Sequence, residues 1–252
     1  MKRGCFQRPE SNIDAVSKLL TFFRVGSVDA WTARYGLANV AYRHSPKFKS
    51  SEFALATWLR LGEIEAEREE CADFSESRFG HAIGKVRGLT REPIVEALQQ
   101  TAKLCNEAGV ALVLVQPLPK TALSGAAWWL TPRKAVIQLT ARHKSVDHLW
   151  FSFFHEAAHI LLHSKKGVFF DETNDNGAEQ EQEANEWASS NLVPKSAWKQ
   201  FVATSPRRAH VVRAFAEEQG IAPGIVVGML QHKGLLPWTH LNFLIVRLTW
   251  NS

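Results

Sequence analysis

The segment from Leu149 to His163 contains the residues whose types and spacing are best suited to chemistry. It includes the run HEAAH at positions 155–159, which has the form H-E-x-x-H. Side chains four positions apart lie on one face of a helix, so His155 and His159 can both turn towards one ion. Imidazole nitrogens are good ligands for Zn²⁺, and this spacing is typical of a zinc-binding helix. Glu156 lies about 100° around the helix from His155, where it can act as the general base on an attacking water.

The residues around this run indicate a helix in a hydrophobic core. Apolar side chains cover most of its surface and leave one polar stripe, which consists of His148, Ser152, His155, His159 and His163. Polar groups in a core need partners, and a metal would provide one for His155 and His159. A buried helix with hydrogen-bonded histidines is the alternative. We favour the metal for the pair, whereas for His163 and His148 we expect a supporting role behind the ligands or an ordinary hydrogen bond.

A third ligand is expected on the next predicted helix, which contains the sequence EQEANEWA. Glu181 and Asn185 are four residues apart and share a face. Glu181 can therefore bind zinc while Asn185 accepts a hydrogen bond from a ligand imidazole and fixes its orientation. Glu183 is expected to point elsewhere, and Glu186 is the weaker alternative ligand. A solvated acidic face is the other possibility, because positions 171–186 contain seven acidic residues and no basic one.

Two motifs of this chain resemble those of the ImmA/IrrE family of metallopeptidases. They are HEAAHILLH at 155–163 and EQEANEWA at 181–188, where members of the family read HExxH and then ExxANxFA. Weaker similarity extends over about residues 75–250. It includes Leu192-Val193-Pro194, Ser124-Gly125, the segment 135–140 and the tail 220–231.

This resemblance implies both a fold and a function. The fold is α+β and of the minimal zincin type, with a small mixed sheet packed on the HExxH helix. His155, His159 and Glu181 are implied as zinc ligands, and Glu156 as the catalytic base. The implied activity is that of a zinc endopeptidase that cleaves a transcriptional repressor, in stress response or mobile-element control, in the bacterial cytoplasm.

The first quarter of the chain departs from members of the family that are fused to a DNA-binding domain. Residues 11–63 resemble the connector that follows an N-terminal helix-turn-helix domain of the Xre type, and the chain begins where that domain would have ended. We therefore expect a member without that domain. The expected regions are a helical N-terminal segment at 1–73, a zincin-like metallopeptidase core at 74–200, and a C-terminal helix-turn-helix-like subdomain with a final strand at 201–252.

Periodicity and turn residues predict the elements that carry these motifs. Helices are expected at 11–60 with a break at Ser45-Pro46, and at 92–108, 145–164, 179–192, 208–219 and 223–231. Strands are expected at 110–115, 127–130, 135–140 and 241–248, with a hairpin between the second and the third. A solvated helix or linker is expected at the acid-rich run 61–73, and a loop at 171–180. The strand at 135–140 could pair with an extended substrate by strand addition.

For two sets of side chains near the motifs, the sequence leaves more than one role possible. The oxyanion of peptide hydrolysis needs a stabilising group besides zinc, and by residue type the candidates are Arg142, His143, His163, His210 and His232. Trp150 and Trp187 are expected in the core, whereas Trp128 and Trp129 could be core residues or line a substrate groove.

Length and composition indicate a soluble globular protein with a substantial core. Of the 252 residues, 45% are hydrophobic and 22% are charged, which excludes wholesale disorder. The three cysteines form no CxxC pair, which argues against a disulfide framework or a thiolate zinc site and favours a reducing compartment. The most apolar stretch, 149–162, is too short and too polar to span a membrane, and the first ten residues do not resemble a signal peptide.

The net charge of +5 comes from the start of the chain. Residues 1–60 carry ten basic and four acidic side chains, whereas the rest of the chain carries 20 and 21. This basic N-terminus and the helix pair at 208–231 are the features of a rival interpretation. In it the protein is a non-catalytic transcriptional regulator or an antitoxin-like partner with a structural or vestigial metal site. Direct nucleic-acid binding would then appear as a salt-dependent affinity for DNA.

Overall fold

Helices make up most of the structure, and one small mixed sheet lies among them, which confirms the expected α+β class. The computed structural model describes residues 8–36, 52–121, 123–142, 144–163 and 177–248. Its strands are Val110–Leu114 (β1), Gly125–Thr131 (β2) and Lys134–Leu139 (β3). Its α-helices are Asn12–Phe23 (α1), Val28–Trp31 (α2), Glu52–Arg68 (α3), Glu76–Leu89 (α4), Ile94–Glu107 (α5), Val146–Leu162 (α6), Gly177–Leu192 (α7), Lys195–Ala203 (α8), Ala209–Gln219 (α9) and Pro223–His232 (α10).

The three strands are arranged in the order β1-β3-β2. β3 is parallel to β1 and antiparallel to β2, and the expected hairpin joins β2 to β3. Because β3 is the central strand, both of its edges already pair with neighbouring strands. The hypothesis that a substrate adds to the strand at 135–140 is therefore wrong. Among the described residues, the edge of the sheet on this side belongs to β2.

The sheet separates two hydrophobic cores because successive side chains of a strand point to opposite faces. Val110 and Leu112 of β1 face the larger core, where they meet buried aromatic side chains of α6 such as Trp150. Ala111 and Val113 face a smaller core that contains Trp58 of α3. The larger core also contains side chains from both sides of the expected boundary at residue 200. The division of the chain into three regions stays a prediction.

α3 is attached to the second face of the sheet by hydrogen bonds as well as by packing. The indole nitrogen of Trp58 donates to the carbonyl of Val115 at 3.2 Å, and the buried amide of Gln138 donates to the carbonyl of Trp58 at 2.8 Å. Gly62 makes this close approach possible, because a Cβ atom at that position would lie 1.8 Å from Oε1 of Gln138.

The acid-rich run at 61–73 differs from its expected form. α3 continues through most of it, to Arg68, and Glu63 is buried rather than solvated. The carboxylate of Glu63 pairs with Arg60 at 2.8 Å and with Arg34 at 2.7 Å. The prediction of a solvated helix or linker was wrong for Glu63, since acidic spacing in the sequence does not reveal basic partners on other segments.

The C-terminal helix pair has the expected bounds but not the exposure that a DNA-reading pair needs. α9 ends at Gln219 and is capped by Gly220, which adopts the left-handed conformation (φ +67°), and α10 follows after a short turn. Along α10, Ile225, Val226, Val227 and Leu230 are at most 3% exposed, and the helix packs against α6. A recognition helix must present its side chains to the major groove, so the buried α10 does not suit that task.

The prediction of a strand at 241–248 is wrong. Leu241 has a left-handed backbone (φ +59°), which interrupts an extended chain, and a 3₁₀ turn follows at Asn242–Leu244. After this turn, Arg247 forms only an isolated bridge with Ser145. The segment therefore packs at the start of α6 instead of extending the sheet.

Several boundaries also shift. Ser145 occupies the N-cap position of α6, but its side chain makes no capping hydrogen bond. α7 begins at residue 177, within the expected loop, and α4 was missed although its buried residues follow helical spacing. The expected helical region 11–60 is divided among α1, α2 and α3, and the predicted break at Ser45-Pro46 lies outside the described residues, as do residues 171–176 of the loop. None of the described helices combines the length and apolarity that a membrane crossing requires.

Candidate metal centre

Helix α6 places His155 and His159 side by side. Its aromatic side chains turn towards the core, so the remaining polar stripe faces α7. The Nε2 atoms of the two histidines lie 3.1 Å apart, and the side chains are 15% and 21% exposed. The helical spacing thus brings two imidazole nitrogens to one point, as the sequence indicates.

Helix α7 brings Glu181 to the same point. Ala184 and Ala188 lie on its inner face and are fully buried, and their small side chains allow α7 to pack closely along α6. Glu181, one turn earlier on this face, places Oε2 3.3 Å from Nε2 of His155 and Oε1 3.3 Å from Nε2 of His159. The structure therefore gathers the three side chains expected as ligands.

These distances suit a tetrahedral metal ion. The donor atoms of His155, His159 and Glu181 lie within 4.8 Å of one another. Two ligand atoms that are each about 2.0–2.1 Å from a tetrahedral zinc ion are about 3.3 Å apart, close to the separations observed here. Two imidazoles and one carboxylate are also a common ligand set of catalytic zinc. The residues present therefore fit the metal in both chemistry and spacing.

The electrostatics couple the members of this cluster. Burial opposes the charged form of His155, but the contacts with Glu181 and the nearby Glu156 outweigh it and raise the pKa of the imidazole. Burial also acts to raise the pKa of Glu181, but the hydrogen bonds with His155 and His159 dominate and lower it well below its usual range. Glu181 is therefore an ionised carboxylate, which is the form that binds a metal.

Glu156 is buried beside this cluster, on the side of the sheet. It is 6% exposed, and its carboxylate packs against Gly125 at the start of β2. A Cβ atom on Gly125 would lie 2.7 Å from Oε1 of Glu156, so a larger residue does not fit there without a shift. Burial raises the pKa of Glu156, and the charges of His155 and His159 offset part of that effect. A raised pKa makes a carboxylate a stronger base, which suits proton transfer.

Two further predicted residues lie behind the donor cluster. The side chain of Asn185 interacts with His155 and contributes to its raised pKa. The Nδ1 atom of His163 lies 2.9 Å from Nδ1 of His159. Sequence reasoning missed a third contact, in which Oε2 of Glu183 lies 3.4 Å from Nε2 of His163. Glu183 points away from the ligand pair as expected, but helical spacing alone does not reveal that His163 lies opposite it.

The alternative metal ligand and several oxyanion candidates do not belong to the donor cluster. Glu186 pairs with Lys195 at 3.0 Å and accepts from Gln182 at 3.1 Å, so its carboxylate is engaged on the outer face of α7. Among the oxyanion candidates, His143 lies outside the described residues, and His210 and His232 lie at exposed positions of α9 and α10.

The tryptophans near the site are mainly core residues. Trp150 is fully buried as expected, and Trp128 is buried in the core under α3. Trp129 is half-buried and packs edge-to-face on Phe74. Trp187 is half-buried and lines a groove of about 540 Å³ along the outer face of α7. The groove is lined by Leu162, Glu179, Gln182, Glu183, Glu186, Trp187, Ser190 and Lys195.

A comparison with known families assigns the class of protein that this site suggests. Residues 105–227 match the model of the IrrE N-terminal-like domain, a domain of the M78 peptidases. The matched range contains the sheet and both helices of the donor cluster. The matched region therefore belongs to the ImmA/IrrE family of metallopeptidases. The comparison with curated proteins found no match.

Proposed function

We propose that the protein is a zinc-dependent endopeptidase that cleaves a DNA-binding transcriptional repressor, in stress response or mobile-element control. One observation carries the proposal: donor atoms of His155, His159 and Glu181 gather at one point beside the buried carboxylate of Glu156. The membership in a metallopeptidase family supports it. The reaction belongs in the cytoplasm, where such repressors act, and the unpaired Cys71 and Cys105 are compatible with that compartment.

Each residue has a defined task in this proposal. His155, His159 and Glu181 hold the zinc ion, and Asn185 and His163 orient the two imidazoles from behind. When bound, zinc acts as a Lewis acid on the scissile carbonyl and makes a coordinated water more acidic. Glu156 accepts the proton of the attacking water and then delivers it to the leaving amine.

The substrate backbone is best accommodated at the edge of β2. This strand begins at Gly125, which contacts Glu156, and its outer edge has no partner strand among the described residues. An extended peptide that adds to this edge would pass close to the catalytic carboxylate. Replacing Ala127 of β2 by proline should raise KM if this docking occurs. An unchanged KM in a folded variant would exclude it.

The groove along α7 supports a basic substrate. Glu179 and Glu183 give its walls an acidic character, since Lys195 neutralises Glu186, and Leu162 and Trp187 provide apolar surface. DNA-binding proteins carry clustered Lys and Arg residues, which such a groove complements. Cleavage of a repressor should therefore slow as the salt concentration rises, because screening weakens the attraction between exposed charges.

The rival function as a DNA-binding regulator finds less support. The buried α10 does not offer a reading helix. Part of the basic excess near the start of the chain is also engaged in ion pairs, since Arg24 pairs with Glu67 and Arg34 with Glu63. An affinity for DNA that falls with salt would favour this rival.

Metal analysis and a cleavage assay test the proposal together. The purified protein should contain about one zinc ion per chain, and it should cleave a repressor from the same genome. The variant Glu156→Gln should keep zinc but lose about 10²- to 10⁴-fold in kcat, as expected for loss of a general acid–base residue. Failure of the wild-type protein to bind zinc at micromolar concentration would refute the proposal.

A further inference from the structure

Two residues behind the donor cluster, His163 and Glu183, are connected to it through His159. His159 directs Nε2 towards His155 and Glu181, at 3.1 and 3.3 Å. Its other ring nitrogen, Nδ1, lies 2.9 Å from Nδ1 of His163. Nε2 of His163 in turn lies 3.4 Å from Oε2 of Glu183, which is an electrostatic contact rather than a hydrogen bond. Two imidazoles and one carboxylate thus form a continuous chain that ends at the donor cluster.

The positions of the protons along this chain follow from the metal. A histidine that binds a metal through Nε2 is neutral at that atom and carries its proton on Nδ1. Nδ1 of His159 must then donate, and Nδ1 of His163 must accept. His163 consequently carries its own proton on Nε2, the atom that faces the carboxylate of Glu183. A carboxylate in that place stabilises this tautomer of His163, and no other arrangement of a single proton on each ring satisfies all three contacts.

We propose that Glu183 is a positioning residue of the metal centre: its negative charge stabilises the proton on Nε2 of His163, so that His163 accepts from His159 and His159 presents Nε2 to the metal. This inference rests on the proposed zinc-binding function. It differs from the expectation for Asn185, which contacts the other histidine. The two ligand imidazoles would then be oriented by separate residues of one helix, Asn185 for His155 and Glu183, through His163, for His159.

The surroundings of His163 suit such a task. His163 follows the last residue of α6, and its backbone N–H donates to the carbonyl of His159 at 3.3 Å, which fixes the ring near its target. Its side chain is only 12% exposed, whereas that of Glu183 is 60% exposed. Glu183 can therefore be replaced without opening the core, which makes the proposal accessible to mutation.

Zinc affinity, measured by competition with a chromophoric chelator, tests this role. Outer residues that orient metal ligands typically contribute about 10- to 100-fold to metal affinity. We expect Glu183→Gln to weaken zinc binding by about 10-fold and His163→Phe by about 10- to 100-fold. Glu186→Gln is the matched control, because it removes the same charge from the same helix but from a carboxylate engaged with Lys195. It should change zinc affinity by less than about 2-fold, as for a screened surface charge.

A double variant and a spectrum separate positioning from general electrostatics. If Glu183 acts through His163, then Glu183→Gln should have no further effect in the His163→Phe background. The visible absorption of the Co²⁺-substituted protein should also change in Glu183→Gln but not in Glu186→Gln. The inference is overturned if both glutamine variants behave alike, or if Glu183→Gln weakens zinc equally in both backgrounds. If the wild-type protein binds no zinc, the proposed function fails as well. If it binds zinc and Glu183→Gln does not change the zinc affinity, only the role of Glu183 is refuted and the proposed function stands.

Discussion

The two faces of the sheet carry polar clusters that are neutralised in different ways. On the α3 face, Arg60 is 3% exposed and pairs with Glu63 at 2.8 Å and with Glu67 at 3.6 Å. The guanidinium also donates to the backbone carbonyl of Phe22 at 2.6 Å. Every charge in this cluster has an opposite charge on a neighbouring side chain, and the cluster links α1 to α3.

On the α6 face, the cluster is not balanced by the protein's own permanent cations. The carboxylates of Glu156 and Glu181 lie beside His155 and His159, and among the described residues no Lys or Arg pairs with either carboxylate. Two acceptor groups and two imidazoles in one place favour a bound cation. A structural cluster is thus completed by side chains, whereas a binding site leaves part of its charge to the ligand.

Removal of the metal should therefore have the largest effect on activity, and it should leave the α3 face of the sheet unchanged. Dialysis against a chelator should reduce cleavage to background, and added zinc should restore it. Far-ultraviolet circular dichroism should show that the helices persist, because the α3 face does not depend on the metal. Cleavage that continues at full rate in the metal-free protein would remove the distinction between the two clusters.

Arg60→Ala should have the converse effect. Loss of one partner of a buried ion pair typically costs about 3–5 kcal/mol in the free energy of unfolding, and we expect the lower end because Arg34 also pairs with Glu63. Zinc affinity should stay unchanged. Denaturant unfolding measures this effect, with Arg68→Ala as the control, because the ion pair of Arg68 with Glu65 is exposed and should contribute less than about 1 kcal/mol. Equal losses for both variants would contradict the assignment.

Gly125→Ala should damage catalysis without affecting the metal. The new Cβ atom would lie 2.7 Å from Oε1 of Glu156 and would displace that carboxylate. A displacement of about 1 Å in a reacting group can cost about 100-fold in rate, so we expect kcat to fall by that factor. Zinc content should match that of the wild type. Thr131→Ala, at the exposed far end of β2, is the control, and a normal kcat in Gly125→Ala would show that Glu156 tolerates the shift.

Gly62→Ala should give the smallest effect, on the opposite face. The added methyl group would collide with the amide of Gln138, and overpacking of this kind costs about 1–3 kcal/mol in the free energy of unfolding. Gly84→Ala on α4 is the matched control, because open space surrounds its Cβ position and alanine favours a helix. The two variants should shift the unfolding midpoint in opposite directions. A shift in the same direction would argue against close packing of α3 on β3.

The elements that could be predicted are those with strong local signals. The aliphatic run of β1, the turn between β2 and β3 and the helices α5, α6, α9 and α10 follow from periodicity and from turn residues. The predicted C-terminal strand failed because a left-handed residue at Leu241 and packing of the following turn against α10 override its apolar pattern. The central position of β3 also could not be predicted from the sequence, because strand order depends on contacts between distant segments.

The same division applies to the site. By itself, the sequence determined that His155 and His159 share a face and that Glu156 lies beside them, because a helix imposes this through its own 3.6-residue period. Only the tertiary structure decided that Glu181, rather than Glu183 or Glu186, meets these histidines, that Glu183 meets His163 and that Gly125 contacts Glu156. These contacts join separate elements, and the packing of α7 and the sheet around α6 sets their distances.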